Sequence, residues 1–280
     1  IMGRLGMVSF GHGAFLGIGA YTVVLLWNGA GISPWIGAPV AGGRSLVVAV
    51  VVGLPCFRFK IVGHYFALVT LALSEVTRLI IVGLRDHTGG SLGITPKTAL
   101  SDGSGGVNLV ALQFADKMVW FYVVLLFWLG SLWVWHRVDR SMNRLALEAI
   151  SEEEDAAASI GVDVTRAKLT VTLLSAAMTA IGGVLYAQYQ LYINPETVSG
   201  IGISLQMVFG VIAGGLFVML GPTVGAVFLL LLSEGLRIVI GNKVLGVDIT
   251  IYGLLLVLFI IYMPKGILST VLQKAGAGRG

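Results

Sequence analysis

The chain has 280 residues, of which 56% are hydrophobic and 11% charged, and it carries a formal net charge of +4. Its mean hydropathy is +0.93, and apolar runs of about 20 residues, long enough to cross a hydrocarbon core of about 30 Å, recur along it. This pattern excludes a soluble domain, and the basic residues flank apolar runs instead of forming the stripe typical of a nucleic-acid-binding surface. The single cysteine, Cys56, excludes an intrachain disulfide.

Eight apolar segments are predicted to cross the membrane as helices, because backbone polar groups in lipid must be bonded within the segment. The alternation typical of a membrane barrel is absent. We therefore expect an all-α integral membrane protein, a polytopic bundle of about eight transmembrane helices in one domain over residues 1–280. Because Ile1 opens inside an ongoing membrane domain, we also expect an upstream part to precede it. The segments are Met7–Trp27, Pro34–Phe57, Gly63–Leu84, Met118–Trp135, Leu169–Leu191, Ile203–Leu220, Pro222–Ile240 and Ile249–Met263.

The second of these segments is interrupted by Pro39, by the Gly42-Gly43 pair and by Arg44. Two interpretations are open: a short re-entrant piece followed by a helix, or one kinked span. Arg44 also places a charge within or near the membrane, where charges are costly.

The distribution of Lys and Arg orients the segments, because cytoplasmic loops carry an excess of both. One side receives 11 of the 18 basic residues, and this assignment fits eight segments without an exception. It places the loop 138–168 and the C-terminus in the cytoplasm and the loop 85–117 outside. The cytoplasmic basic residues are Arg4, Arg58, Lys60, Arg137, Arg140, Arg144, Arg166, Lys168, Lys265, Lys274 and Arg279.

The outer loop 85–117 is rich in Gly, Ser, Thr and Asp. It is too long for a plain hairpin turn, so we expect it to be ordered by packing on the domain. A soluble receptor that docks on the outer face would meet this loop; the alternative is a solvated connector.

The sequence S-E-x-x-R occurs twice near the outer third of a span. It places Glu75 and Arg78 on one helix face, and Glu234 and Arg237 on another, at the i and i+3 spacing that allows pairing. Each pair either lines a pathway or locks helices together, or it is a structural ion pair from which Arg reaches outward to the interface.

No motif for chemistry is present in the chain. There is no P-loop, no H-E-x-x-H and no cluster of Cys and His, so we expect no enzyme, no metal site and no cofactor. Of the four scattered histidines, His12 stands out because it lies between two glycines at the entrance to a span. It is either an interfacial anchor or a pathway residue.

The cytoplasmic stretch Glu148–Lys168 holds six of the 14 acidic residues. Its acids and the alanines that follow favour a short helix whose first turn complements the helix dipole, and Gly161 is placed to end that helix. The stretch is either a module that docks on a soluble partner or a solvated surface helix, and it is more elaborate than a simple connection requires.

Five stretches of the chain together resemble the LivM-type permeases of the high-affinity branched-chain amino acid ABC importers. They match the family signatures S-x-G-H-x-x-F-x-x-x-G-A-Y, G-L-P-x-x-R and T-G-G-x-x-G-I, the EAA-type coupling loop and a closing Y-G with P-x-G. In the second stretch, this chain has two extra residues before Gly63. The stretches are Met7–Tyr21, Gly53–Ile80, Thr88–Ile94, Ala149–Leu169 and Ile251–Ser269.

The resemblance implies an ABC importer permease fold in the bacterial plasma (inner) membrane and a set of partners. These are a sister permease of LivH type, two cytoplasmic ATPases of LivG and LivF type that use ATP and Mg, and a periplasmic or lipid-anchored binding protein. Membrane lipid surrounds the chain, and no nucleic acid is involved. The cargo would be leucine, isoleucine or valine.

The resemblance also implies roles for individual residues. Ser151 and Asp155 depart from the coupling motif, where a basic and an apolar residue are frequent. The residues that match the motif and would dock in the ATPase groove are Glu152, Glu154, Ala156, Ala157 and Gly161. The outer turn that would face the receptor is Thr88, Gly89 and Gly90.

Three alternatives remain open at this stage. A permease for urea or short-chain amides would look similar, because specificity lies largely in the binding protein. A passive channel would conduct without ATP and would have no use for the Ala156–Gly161 module. A purely structural scaffold would tolerate changes in that module.

Overall fold

The computed structural model describes residues 5, 7–61, 63–98, 107–140, 143–215, 218–240, 254 and 266–268. The chain forms two compact units, 1–204 and 205–280. The first unit is helical apart from a short antiparallel hairpin of β1 (Val107–Asn108) and β2 (Gln113–Phe114), in which Val107 pairs with Phe114. Its helices are α1 (His12–Ala30), α2 (Pro34–Arg58), α3 (Gly63–Gly83), α4 (Arg85–Thr88), α5 (Lys117–Arg140), α6 (Asn143–Glu152), α7 (Glu154–Ser159), α8 (Val164–Gln190) and α9 (Pro195–Ser199). Helix α10 (Ile201–Gly214) begins in the first unit and continues into the second, which contains α11 (Gly221–Ile240).

Six helical stretches of the described chain are long and apolar enough to cross a membrane. The all-α, polytopic fold is therefore confirmed. The number of about eight spans is not confirmed: α11 has a shorter apolar stretch, Gly221–Gly235, and Ile249–Met263 lies outside the described residues except for Leu254, which is helical. The six stretches are His12–Ala30, Pro34–Arg58, Gly63–Gly83, Lys117–Arg140, Val164–Gln190 and Pro195–Gly214.

The second predicted segment is one continuous helix of 25 residues, which excludes the re-entrant piece. Ser33 caps its start by accepting a hydrogen bond from the backbone N–H of Trp35, and Pro34 occupies the first turn, where a missing N–H costs nothing. Pro39 and Pro55 lie inside the helix. Because α2 runs without a break from Pro34 to Arg58, Arg44 lies near its middle.

Helix α1 lies at the centre of the first unit and packs against α2, α3, α8 and α9. Its crossing with α8 is close because Gly19 lies on the Ala180 carbonyl and Gly183 lies on the Leu16 carbonyl, where a Cβ on either glycine would overlap backbone atoms. Small residues allow such approach between membrane helices. The crossing joins α1, which begins at His12, to α8, which follows α7 along the chain.

Candidate functional site

The acidic stretch around Glu148–Lys168 forms two short helices, α6 and α7, separated by the extended residue Glu153. At the end of α7, Gly161 adopts a left-handed φ of 90°. Its N–H bonds to the Ala158 carbonyl at 3.0 Å, and the Val162 N–H bonds to the Ala157 carbonyl at 3.1 Å. This pair of bonds is the glycine-dependent stop that the sequence predicts at this position.

The inner side of α7 is anchored on the bundle. Ala157 is 1% exposed and lies in an apolar cluster with Phe57, Phe66 and Ile150. Close to it, Lys168 is 2% exposed and forms an ion pair with Glu154. The Lys168 ammonium also lies 6.0 Å from the centre of the Phe57 ring, an arrangement that stabilises a desolvated cation.

The outer side of α7 is free in the described structure. Glu152, Ala156 and Gly161 are exposed, and Ile160 is 76% exposed. The five residues of the coupling motif therefore divide: Glu154 and Ala157 face the bundle, whereas the other three face solvent. Nothing in the sequence marks Lys168 or Ile160 as special, because a lysine beside a span and an isoleucine at a helix end are ordinary features.

A second ion pair joins α7 to the end of α2. The Lys60 ammonium lies 2.7 Å from the Asp155 carboxylate, and both side chains are exposed. The hydrogen bond from Lys60 lowers the pKa of Asp155, and the same bond raises the pKa of Lys60. Asp155, a departure from the motif, thus has a local role in placing α7.

We expect this pair to make the position of α7 weakly dependent on pH. A lowered carboxyl pKa stabilises the docked helix above the ordinary pKa of Asp, and this contribution is lost as pH falls through the lowered pKa. The same ion pair is also lost in strong alkali, as pH rises through the raised pKa of Lys60. A fluorophore at Ser159 should report a small movement in acid that Asp155→Asn removes; an unchanged acid response in that variant would show that another group is responsible.

The outer turn is built around a buried threonine. Thr88 is 2% exposed, and its hydroxyl donates to the Ile81 carbonyl at 2.6 Å while accepting from the Gly90 N–H at 3.2 Å. Gly89 and Gly90 adopt left-handed φ values of 74° and 59°. Thr88 and Gly90 therefore shape the turn from within, and Leu92, 76% exposed, is its protruding residue.

The described parts of the outer loop are ordered by bonds to α1. The Trp27 indole donates to the Lys97 carbonyl at 2.8 Å, and the Asn28 amide donates to the Thr95 carbonyl at 2.8 Å. Ile94 forms a bridge with Ile193 beyond the end of α8. These bonds agree with the expectation of an ordered loop; residues 99–106 lie outside the described chain.

The polar residues of the spans connect helices. His12 lies 2.8 Å from the Ser175 hydroxyl, which joins α1 to α8. Arg78 donates to both carboxylate oxygens of Glu75, at 3.0 and 2.5 Å, and lies 3.6 Å from Glu196 of α9. This arrangement favours helix locking for the first S-E-x-x-R pair.

The second S-E-x-x-R pair remains a prediction. Glu234 lies in α11, and the side chain of Arg237 lies outside the described residues. Within the described ranges, no three His, Cys, Asp or Glu side chains are placed to hold a metal ion.

A break between α9 and α10 was not predicted. Gly200 is extended at ψ 157° and separates the two helices inside a membrane-length stretch. The Ser74 hydroxyl donates to the Ser199 carbonyl at 2.9 Å, and the Gly13 N–H donates to the Ser204 hydroxyl at 3.2 Å. The first bond satisfies a carbonyl that the break leaves without a helical partner, and the second satisfies an N–H in the first turn of α1. Asn194 followed by Pro195 is a helix-start signal, and it could have revealed from the sequence that α9 begins here, before the break at Gly200.

Six helical stretches of the described chain that are long and apolar enough to cross a membrane define a polytopic membrane protein. The chain belongs to the family of branched-chain amino acid transport system permease components, whose profile matches residues 1–263. This membership confirms the resemblance and the expectation of a transport subunit, not an enzyme.

Three relatives are similar over nearly the whole chain. The high-affinity branched-chain amino acid transport system permease protein LivM of Salmonella typhimurium is 32% identical over 300 residues, covering 100% of this chain and 69% of the relative. The protein of the same name from Escherichia coli is 30% identical with the same coverage. A probable branched-chain amino acid transport permease of Methanocaldococcus jannaschii is 24% identical, covering 96% of this chain and 80% of the relative. No solved structure matches the chain.

Proposed function

We propose that this chain is the membrane-spanning permease subunit of an ATP-driven importer of leucine, isoleucine and valine in the bacterial plasma (inner) membrane. The observation that carries the proposal is the family match over residues 1–263, together with relatives named for this transport. In this proposal the chain forms half of the translocation pathway. The other half comes from a second permease of LivH type.

Energy would come from two cytoplasmic ATPases of LivG and LivF type, which bind ATP and Mg; this chain would bind no cofactor. The outer side of α7 suits docking in an ATPase groove, since Ala156 and Ile160 are exposed beside the acidic residue Glu152. The ion pairs of Glu154 and Asp155 hold this surface in place, so that movement of the ATPases can be passed to α8. Loop 138–168 would therefore be the cytoplasmic coupling loop.

On the opposite side, loop 85–117 would face the periplasm and receive the substrate-binding protein. The turn at Thr88, Gly89 and Gly90 would act indirectly there, by presenting Leu92. An exposed leucine on a backbone fixed by buried hydrogen bonds is a suitable contact for a soluble receptor.

The test is uptake of labelled leucine and labelled urea into proteoliposomes that hold this chain, its sister permease and the ATPases. ATP is inside, and each candidate binding protein is added outside. Leucine uptake that requires both ATP and the binding protein supports the proposal. Uptake of urea alone would assign the chain to the permeases of urea or short-chain amides, and flux without ATP would indicate a passive channel.

We expect Ala156→Trp to lower coupled uptake by about tenfold or more, because a large side chain in the centre of a packed interface removes its hot-spot contacts. Folding should be unaffected, since Ala156 is exposed. The matched control is Met118→Trp, at an exposed position on the outer end of α5. If Ala156→Trp and Met118→Trp take up leucine equally at equal protein level, α7 is excluded as the ATPase contact. That result would support a purely structural role for the module on α7.

A further inference from the structure

A cleft of about 640 Å³ lies between α1, α2 and α3. Its walls are mainly aliphatic and include Ile18 of α1, Val40 and Val47 of α2, and Val76 and Ile80 of α3. A cavity of this size and lining is typical of a site for a small apolar ligand with a few polar contacts.

Arg44 lines this cleft. At about 1.5 Å per residue it lies roughly 15 Å along α2 from Pro34, close to the middle of a hydrocarbon core of about 30 Å. The Arg44 guanidinium makes one long hydrogen bond, 3.5 Å to the Thr22 hydroxyl, and forms no ion pair with any side chain that the structure describes. A guanidinium remains charged under all ordinary conditions, and a charge at this depth is costly without a partner.

Two further polar groups belong to the same cleft. Tyr21 is 3% exposed and lines the cleft, and its buried hydroxyl has no hydrogen-bond partner in the described part of the chain. Thr77 also lines the cleft; its hydroxyl donates to the Leu73 carbonyl, and its oxygen can still accept a bond. The cleft thus combines one cation, one unpaired hydroxyl and aliphatic walls.

We propose that this cleft binds the transported amino acid, with Arg44 on the carboxylate and the aliphatic walls around the side chain. The inference rests on the proposed function and adds the binding site. A guanidinium can hold a carboxylate through two parallel hydrogen bonds. The hydroxyl oxygens of Thr22 and Thr77 can accept from the ammonium group, and the Tyr21 hydroxyl gains a partner.

A fatty acid or lipid carboxylate offers the same chemistry, but its head group belongs at the membrane surface, where it meets water. Arg44 lies near the middle of the membrane instead. A small zwitterion that crosses the membrane must pass this depth, whereas a lipid head group need not. The transported amino acid is therefore the occupant that the depth of Arg44 favours.

The test compares the assembled transporter, containing the full chain, with its Arg44→Gln, Arg44→Lys and Arg137→Gln variants. Arg137 is the matched control, because it is exposed near the cytoplasmic end of α5 and lies outside loop 138–168. We expect Arg44→Gln to lower leucine uptake by about tenfold or more while ATP hydrolysis stimulated by the binding protein persists. Arg44→Lys should retain part of the uptake, since it keeps the charge but loses the two-bond geometry, and Arg137→Gln should match the wild type.

A second measurement keeps the inference testable if Arg44 variants fail to assemble. A diazirine analogue of leucine, activated by light in the wild-type complex, should label the cleft segments 40–48 and 73–84, and excess leucine should suppress the labelling. Unchanged uptake by Arg44→Gln, or labelling elsewhere only, would overturn the inference.

Two outcomes would assign the cleft to another occupant. If the sister permease is lost from the Arg44→Gln complex, the occupant of the cleft would be an acidic helix of that subunit. If Arg44→Gln loses a bound fatty acid while leucine uptake is unchanged, the occupant would be a lipid. Failure of the wild type to take up leucine would instead contradict the proposed function, so the two failures are distinguishable.

Discussion

Replacing Lys168 by methionine is expected to detach α7 from the bundle and to abolish coupled transport. The side chain of Lys168 is 2% exposed, and its ammonium is paired with Glu154, whose side chain is 31% exposed. Removing one partner of a buried ion pair costs about 3–5 kcal/mol because the other charge is left uncompensated. Since Glu154 retains some access to water, we expect a loss near the lower end of that range. Thermal unfolding in detergent and protease access to α7 would measure it.

Two controls separate this ion pair from general damage. The double variant Lys168→Met with Glu154→Leu removes both charges and should recover much of the stability, because an apolar pair of similar size can replace a buried ion pair. Lys60→Met breaks the neighbouring exposed pair with Asp155 and should have a small effect, since surface ion pairs contribute little. A loss in Lys168→Met no larger than in Lys60→Met would contradict the anchoring role.

The spans and the end of α7 could be predicted from sequence because their signals are local. The length of an apolar run decides whether it can cross a membrane, and a glycine after an alanine-rich stretch ends a helix. Six membrane-length helices and the left-handed Gly161 follow these signals. The number of spans remains a prediction, since the apolar part of α11 is Gly221–Gly235 and Ile249–Met263 lies outside the described residues except for Leu254.

The features that could not be predicted depend on contacts between distant segments. Lys168 is one of the flanking basic residues by composition, and its burial results from Phe57 of α2 and Glu154 of α7 coming together around it. Thr88 was predicted to belong to a receptor-facing turn because it opens the T-G-G-x-x-G-I stretch, yet its hydroxyl bonds to the end of α3 and the residue is buried. Arg44 appeared as an interruption of its span and as a charge within or near the membrane, but its position in a cleft depends on α1 and α3.

The same substitution at two neighbouring glycines of α8 should have opposite effects. A Cβ at Gly183 would overlap the Leu16 carbonyl and lie 3.0 Å from the Ala20 nitrogen, both backbone atoms of α1. At Gly182, the nearest atom to an added Cβ is on the Phe127 ring at 3.9 Å, an ordinary contact. Gly183→Ala therefore requires the two helices to move apart, whereas Gly182→Ala has room.

We expect Gly183→Ala to lower the free energy of unfolding by about 1–3 kcal/mol or more, the usual cost of overpacking, because no rotation of a side chain relieves a clash with backbone. Gly182→Ala should be neutral or stabilising by about 0.5–1 kcal/mol, since alanine loses less conformational entropy than glycine in a helix. Thermal unfolding of both variants in the same detergent would compare them. Equal free energies of unfolding for the two variants would mean that α1 and α8 cross farther apart than the contact of Gly183 with Leu16 requires. If only Gly183→Ala loses stability, it should also lower leucine uptake. The crossing of α1 and α8 places His12 beside Ser175, and α1 also lines the Arg44 cleft.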